Sequence, residues 1–247
     1  PAGPTLNEAS DTMANDASTA PVPTRLALPL RACCLCDPDG TYPWCHEQVS
    51  HLTRNLNECL KVESLECDYL GLSRGLQGAD YDVLIVCAGL HSSPVSGRPQ
   101  IALRDRLVGL DDLLDVSVGR VPSIVFLHLY PEPPQGNRPA TSPWEDLAQF
   151  AKAFRSLGAD YVFVPLWPVP ITARFAFELF SLVQQGLPWS QAIEKSKVAL
   201  SRLNGAQNFR YMDCFVVYGD GELQFGGHAN QRTVAQTKAT FFHLTVV

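Results

Sequence analysis

The 247 residues carry 25 acidic against 19 basic side chains, a net charge of −6 with no lysine or arginine run, which argues against nucleic acid and anionic membrane surfaces as partners. Apolar residues make up 46% of the chain, enough for one large core, yet no apolar run approaches the ~18 residues that span a bilayer. The chain opens on Pro1 and shows no basic segment followed by an apolar one, so it reads as a processed or excised piece without a signal peptide.

The eight cysteines follow no disulfide framework, which points to a reduced, intracellular and cytoplasmic protein. Cys33, Cys34, Cys36 and Cys45, with His46, admit two readings. One is a zinc cluster, but Cys33 and Cys34 are adjacent inside an apolar run, where zinc sites prefer ligand pairs spaced two to four residues apart. The other is a set of small buried thiols on a strand. Neither a metal nor any other cofactor is expected.

Residues 1–25 are rich in Pro, Ala, Ser, Thr, Asn and Asp and read as a disordered linker. Leu30 to Cys36 reads as the first strand, ended by the turn residues Asp37-Pro38-Asp39-Gly40. Trp44 to Leu60 places Val49, Leu52, Leu56 and Cys59 on one helical face. A short strand over Leu65–Tyr69 and a short helix over Leu72–Gln77 are expected next. YDVLIVCA (Tyr81–Ala88) and SIVFLHLY (Ser123–Tyr130) read as buried strands, with an edge pairing at Gln100–Leu103 and a helix over Leu110–Val116 between them.

The centre of the pattern is SPWEDLAQFAKAFRSLGADYVFVPLW, from Ser142 to Trp167. Ser142, Pro143 and Glu145 form a capping box, and Leu147, Phe150, Ala151, Phe154 and Leu157 recur at helical spacing up to Gly158. Tyr161 to Leu166 is then an apolar strand of the kind covered on both faces. Helices from Thr172 to Gly186 and from Pro188 to Leu203 follow, and CFVVY (Cys214–Tyr218) is the last strand. Residues 221–247 form a C-terminal extension whose end, FFHLTVV, would add a strand or dock on an edge.

The run FAKAFRSLGADYVFVPLW, the Pro-rich break, the Phe-rich helix, LPWSQAIEKSKVAL and CFVVYGD resemble the C-terminal half of the CHAT domain, a caspase-like family commonly joined to tetratricopeptide repeats. DVLIVCAG and QIALRDRLVGLDDLLD fall in the same order upstream. The resemblance covers residues 30–220 and implies a caspase-like three-layer α/β/α sandwich with a mainly parallel sheet. It also implies a cysteine-histidine dyad, with the histidine ending the strand DVLIVCAG and the cysteine ending SIVFLHLY. Aligned without gaps, those two positions fall on Gly89 and Tyr130.

Glycine offers no base, and a phenol with a pKa near ~10 is a poor substitute for a thiolate. His91 could recover the base from two residues further on, but residues 121–141 contain no cysteine. The resemblance therefore implies a pseudoprotease acting as a protein-interaction or regulatory module, whose partner is another protein or a repeat domain of the same parent chain. The alternative is an active cysteine peptidase with a displaced dyad using His91. Tyr130 either fills the space beside Gly89 or starts a loop. His128 reads as a hydrogen-bonded core histidine, and it would form an inverted dyad with Cys87 if the two met across neighbouring strands. Trp144 and Trp189, if exposed, and the loop 131–143 are candidate contact points; the other reading is core or helix-cap packing for both tryptophans, the one favoured for Trp189. No G-x-G-x-x-G, P-loop or G-x-S-x-G element supports a nucleotide-binding or serine hydrolase reading.

Overall fold

The structure, a computed structural model, describes residues 25–27, 29–36, 40, 46, 49–50, 53–54, 60–77, 80–93, 96–116, 121–131, 143–165, 172–202, 215–219 and 224–226. Residues 1–24, the loop 132–142 and the terminal FFHLTVV lie outside these. In chain order the elements are β1 (Arg25–Ala27), β2 (Leu30–Cys36), β3 (Leu60–Leu65), α1 (Tyr69–Leu76), β4 (Val83–Ser92), β5 (Pro99–Ala102), β6 (Leu107–Gly109) and α2 (Leu110–Val116). They continue with β7 (Ile124–Pro131), α3 (Pro143–Ser156), β8 (Tyr161–Pro165), α4 (Thr172–Gln184), α5 (Trp189–Arg202), β9 (Phe215–Tyr218) and β10 (Gln224–Gly226).

The main sheet runs β3-β2-β4-β7-β8-β9. Its neighbours are parallel except β9, which is antiparallel to β8. The chain enters at β2, steps to β3 on one side, then returns past β2 to β4 and advances outward. That reversal makes a topological switch point between β2 and β4, the place where doubly wound sheets open a crevice at their carboxyl ends. A separate parallel pair joins β1 to β10, so the residues flanking the 30–220 unit on either side meet each other.

Strand alternation divides the core into two faces. Cys34, Val83, Ile85, Cys87, Ile124, Phe126, Tyr130, Tyr161 and Phe163 point to one face and pack against α4 and α5. Cys33, Leu35, Leu84, Val86, Val125, Leu127 and Val162 point to the other and pack against α1, α2 and α3. Helices thus cover both faces, giving the three-layer α/β/α sandwich with a mainly parallel sheet. Trp189 is fully buried, with ring centroids 5.4 Å from Tyr161 and 6.1 Å from Phe163. It is a core residue and not a contact point.

Three boundaries differ from the expected ones. The second strand is Leu60–Leu65, not Leu65–Tyr69, because Leu60 to Leu65 pairs residue for residue with Leu30 to Leu35. Helix α1 begins at Tyr69, not Leu72, because the Asp68 carboxylate accepts the Gly71 N–H at 2.7 Å and caps it there. Strand β4 runs on to Ser92 because β5 folds back and pairs Gly89–Ser92 in antiparallel fashion. No helix among the described residues is long and apolar enough to cross a membrane.

Candidate functional site

The geometry of the candidate site is set at the amino ends of the central strands. The Asp82 carboxylate accepts the Arg31 N–H at 2.9 Å. The Asp82 N–H donates to the Arg31 carbonyl, and the Asp82 carbonyl accepts from the Ile124 N–H. One residue therefore aligns Ala32, Val83 and Ile124 across three strands. Four residues further along, that register brings Cys36, Cys87 and His128 into one row.

Gly89 and Tyr130 are direct partners across β4 and β7. Tyr130 is 3% exposed and sits in the α4/α5-side core. Its hydroxyl lies 3.3 Å from Nδ1 of His128, two residues back on the same face of the strand. The phenol is thus turned inward along β7, away from solvent. His128 is 1% exposed, and its Nε2 is buried without a hydrogen-bond partner. Burial holds its pKa down at about 3, so the imidazole is neutral at physiological pH.

His91 stands half-buried near the end of β4, opposite Gln100 of β5. It lies four residues beyond Cys87, roughly 13 Å along the strand at the usual rise. The structure therefore does not bring His91 together with Cys87 or with Cys36, which shares the Cys87 row. Cys33 and Cys67 belong to the opposite face of the sheet. Cys45, Cys59 and Cys214 lie outside the described residues.

Cys87 and His128 do meet across neighbouring strands, but the chemistry of their surroundings is wrong for a dyad. A thiolate-imidazolium pair needs both groups charged, and full burial keeps His128 neutral. On the same face, the Cys36 thiol, together with burial, holds Cys34 well above its ordinary value, and on the opposite face burial pushes Cys33 up to about 12. Cys34 lies within hydrogen-bonding reach of both Cys36 and Cys87. Cys34, Cys36 and Cys87 thus gather on one face of the sheet beside a neutral histidine.

Among the described residues, no group of three or more His, Cys, Asp or Glu is arranged to hold a metal ion. A surface pocket of about 310 Å³ is bordered by Arg31, Lys61, Glu63 and Tyr81. It lies at the amino ends of β2 and β3, the opposite end of the sheet from the Gly89–Tyr130 pair. Two features of the site escaped the sequence reading: the Asp82 clamp and the gathering of three thiols. The second left a signal, since Cys34 and Cys36 are two apart on a strand and must share a face.

No family model and no curated protein matches the chain. Among solved structures, the crystal structure of the Drosophila initiator caspase Dronc is similar, with 12% identity and a TM-score of 0.39, covering 90% of this chain and 93% of that one.

Proposed function

We propose that this chain is a CHAT-like, caspase-like pseudoprotease domain that serves as a protein-interaction or regulatory module, docking a protein partner or a repeat array of the same parent chain. The observation that carries the reading is the Gly89–Tyr130 pair. The resemblance puts the histidine and the cysteine of a protease at the ends of two strands, and those strands are adjacent and parallel here. Near the end of their parallel pairing stand a glycine and a buried phenol. The nearest substitutes, His128 and Cys87, are both buried, and burial keeps the His128 imidazole neutral and so a poor partner for a thiolate.

With Trp189 in the core, exposed leucines are the better contact candidates. Leu70 is 76% exposed and Leu107 42%, and they adjoin Tyr69 and Arg106, whose guanidinium stacks on the Tyr69 ring at 3.5 Å. Exposed apolar side chains beside a cation–aromatic pair are typical interface material.

Two experiments test the proposal. The chain is incubated with a degenerate peptide library and with unfolded protein substrates, and no cleavage above background is expected. Cleavage that disappears in His91→Ala overturns the reading in favour of a displaced dyad. A tagged chain is then used to capture partners, with Leu70→Glu/Leu107→Glu as the comparison. A protein retained by the wild type and lost in the variant supports the module, and the absence of any captured protein counts against it.

A further inference from the structure

We infer that Cys36 and Cys87 form a peroxide-responsive thiol pair, in which a hydroperoxide oxidises Cys36 and Cys87 closes it into a disulfide tying β2 to β4 at the switch point. The inference stands on the thiol geometry and is independent of whether the chain cleaves or binds protein.

Pairing geometry selects the two residues. Cys36 and Cys87 are register partners on neighbouring parallel strands. Such neighbours lie about 4.8 Å apart, inside the window of about 4.4–6.8 Å between Cα atoms that a disulfide needs. Cys34 is placed two residues back from that row, which puts it roughly 8 Å from Cys87 by the strand rise, too far to bridge without moving the backbone. Cys34 and Cys36 are successive same-face residues of one extended strand, which would have to buckle to join them. Cys36 is the last residue of β2.

Access separates the roles. Cys36 is partly exposed, whereas Cys34 and Cys87 are buried at 0% and 3%. Of the three sulfurs, the partly exposed Cys36 is the one an oxidant from solvent meets first. The buried sulfurs are already in its company, since the Cys34 thiol reaches both Cys36 and Cys87. At the far end of the row stands His128, whose buried Nε2 has no hydrogen-bond partner.

The steps balance. The Cys36 sulfur, as thiolate, attacks the terminal oxygen of the hydroperoxide; the O–O bond breaks, the alcohol or water leaves after protonation, and sulfur is oxidised by two electrons to sulfenic acid. The Cys87 sulfur then attacks the Cys36 sulfur; the S–S bond forms, the S–O bond breaks, and the hydroxyl departs as water with the Cys87 proton. In sum, two thiols and one hydroperoxide give a disulfide, an alcohol or water from the peroxide, and one further water. Exchange with an external thiol reverses it.

The test uses the whole 247-residue chain, reduced, freed of reductant, exposed to hydrogen peroxide, alkylated and mapped by mass spectrometry without reduction. A peptide pair linked through Cys36 and Cys87, assigned by fragmentation and lighter by two hydrogens, is expected, and Cys34→Ser should give the same link. In Cys87→Ser the sulfenic acid on Cys36 should persist and be trapped by dimedone. The wild-type map needs no variant to fold. Cys36 left unoxidised, or linked to Cys34 or any other cysteine instead, overturns the inference.

Discussion

Gly89 and Tyr130 face each other across β4 and β7 near the end of their parallel pairing, and the Tyr130 hydroxyl is held 3.3 Å from His128 Nδ1. In the proposed pseudoprotease reading, these are the positions that would carry an imidazole and a thiol, and here they hold a glycine and a buried ring. The hydroxyl ties that ring to the sheet.

Tyr130→Phe should keep the ring and lose the polar contact, costing about 0.5–1.5 kcal/mol, the net worth of one hydrogen bond. Tyr130→Ala should cost about 3–5 kcal/mol by emptying the ring's volume. Urea unfolding of the two variants beside the wild type measures both; a Tyr130→Phe variant as stable as the wild type would mean that the hydroxyl contributes nothing.

His128 sets a pH dependence. Its folded pKa, about 3, lies below the ordinary 6.5 because burial disfavours the cation. Between those values the unfolded chain takes up a proton that the folded one refuses, so the stability that His128 confers is full above about 6.5 and falls with pH by up to about 1.4 kcal/mol per unit. Stability measured from pH 7 to pH 4 should decline along this slope, and in His128→Gln the decline should be shallower by that amount.

Gly71→Ala should be strongly destabilising although it sits in a helix where alanine is normally favoured. A Cβ there would overlap the backbone carbonyl of Glu66, which cannot rotate away. A loss of about 1–3 kcal/mol is expected, the range for forced overpacking, and thermal unfolding reads it directly.

Iodoacetamide labelling should find no hyper-reactive cysteine. With its pKa pushed up to about 12 by burial, Cys33 holds on the order of a thousandfold less thiolate at pH 8 than an ordinary cysteine. Cys36, partly exposed, should label ahead of Cys33 and Cys34 but no faster than a simple exposed thiol. One cysteine outpacing glutathione would revive the displaced dyad.

Periodicity made most of the elements legible. The spacing from Leu147 to Leu157 defined α3, and the apolar runs at 83–88, 124–130 (broken only by His128) and 161–165 defined strands buried on both faces. Those are local signals: the period of a helix, or the lack of one in a covered strand, is written within a dozen residues. Strand β3 was misplaced because Leu60–Leu65 is half polar and becomes a strand by pairing with β2, a partner whose position the local sequence does not encode.

Composition and residue identity alone also showed that the strand end at 121–141 holds no cysteine. Only the tertiary structure decided which residues meet there. Register in a parallel sheet is fixed by contacts between segments some fifty residues apart, here by Asp82 bonding to Arg31, and a slip of one residue would turn every side chain to the other face. That register, and not any motif, put Gly89 opposite Tyr130, lined up Cys36, Cys87 and His128, and buried the histidine deeply enough to keep it uncharged.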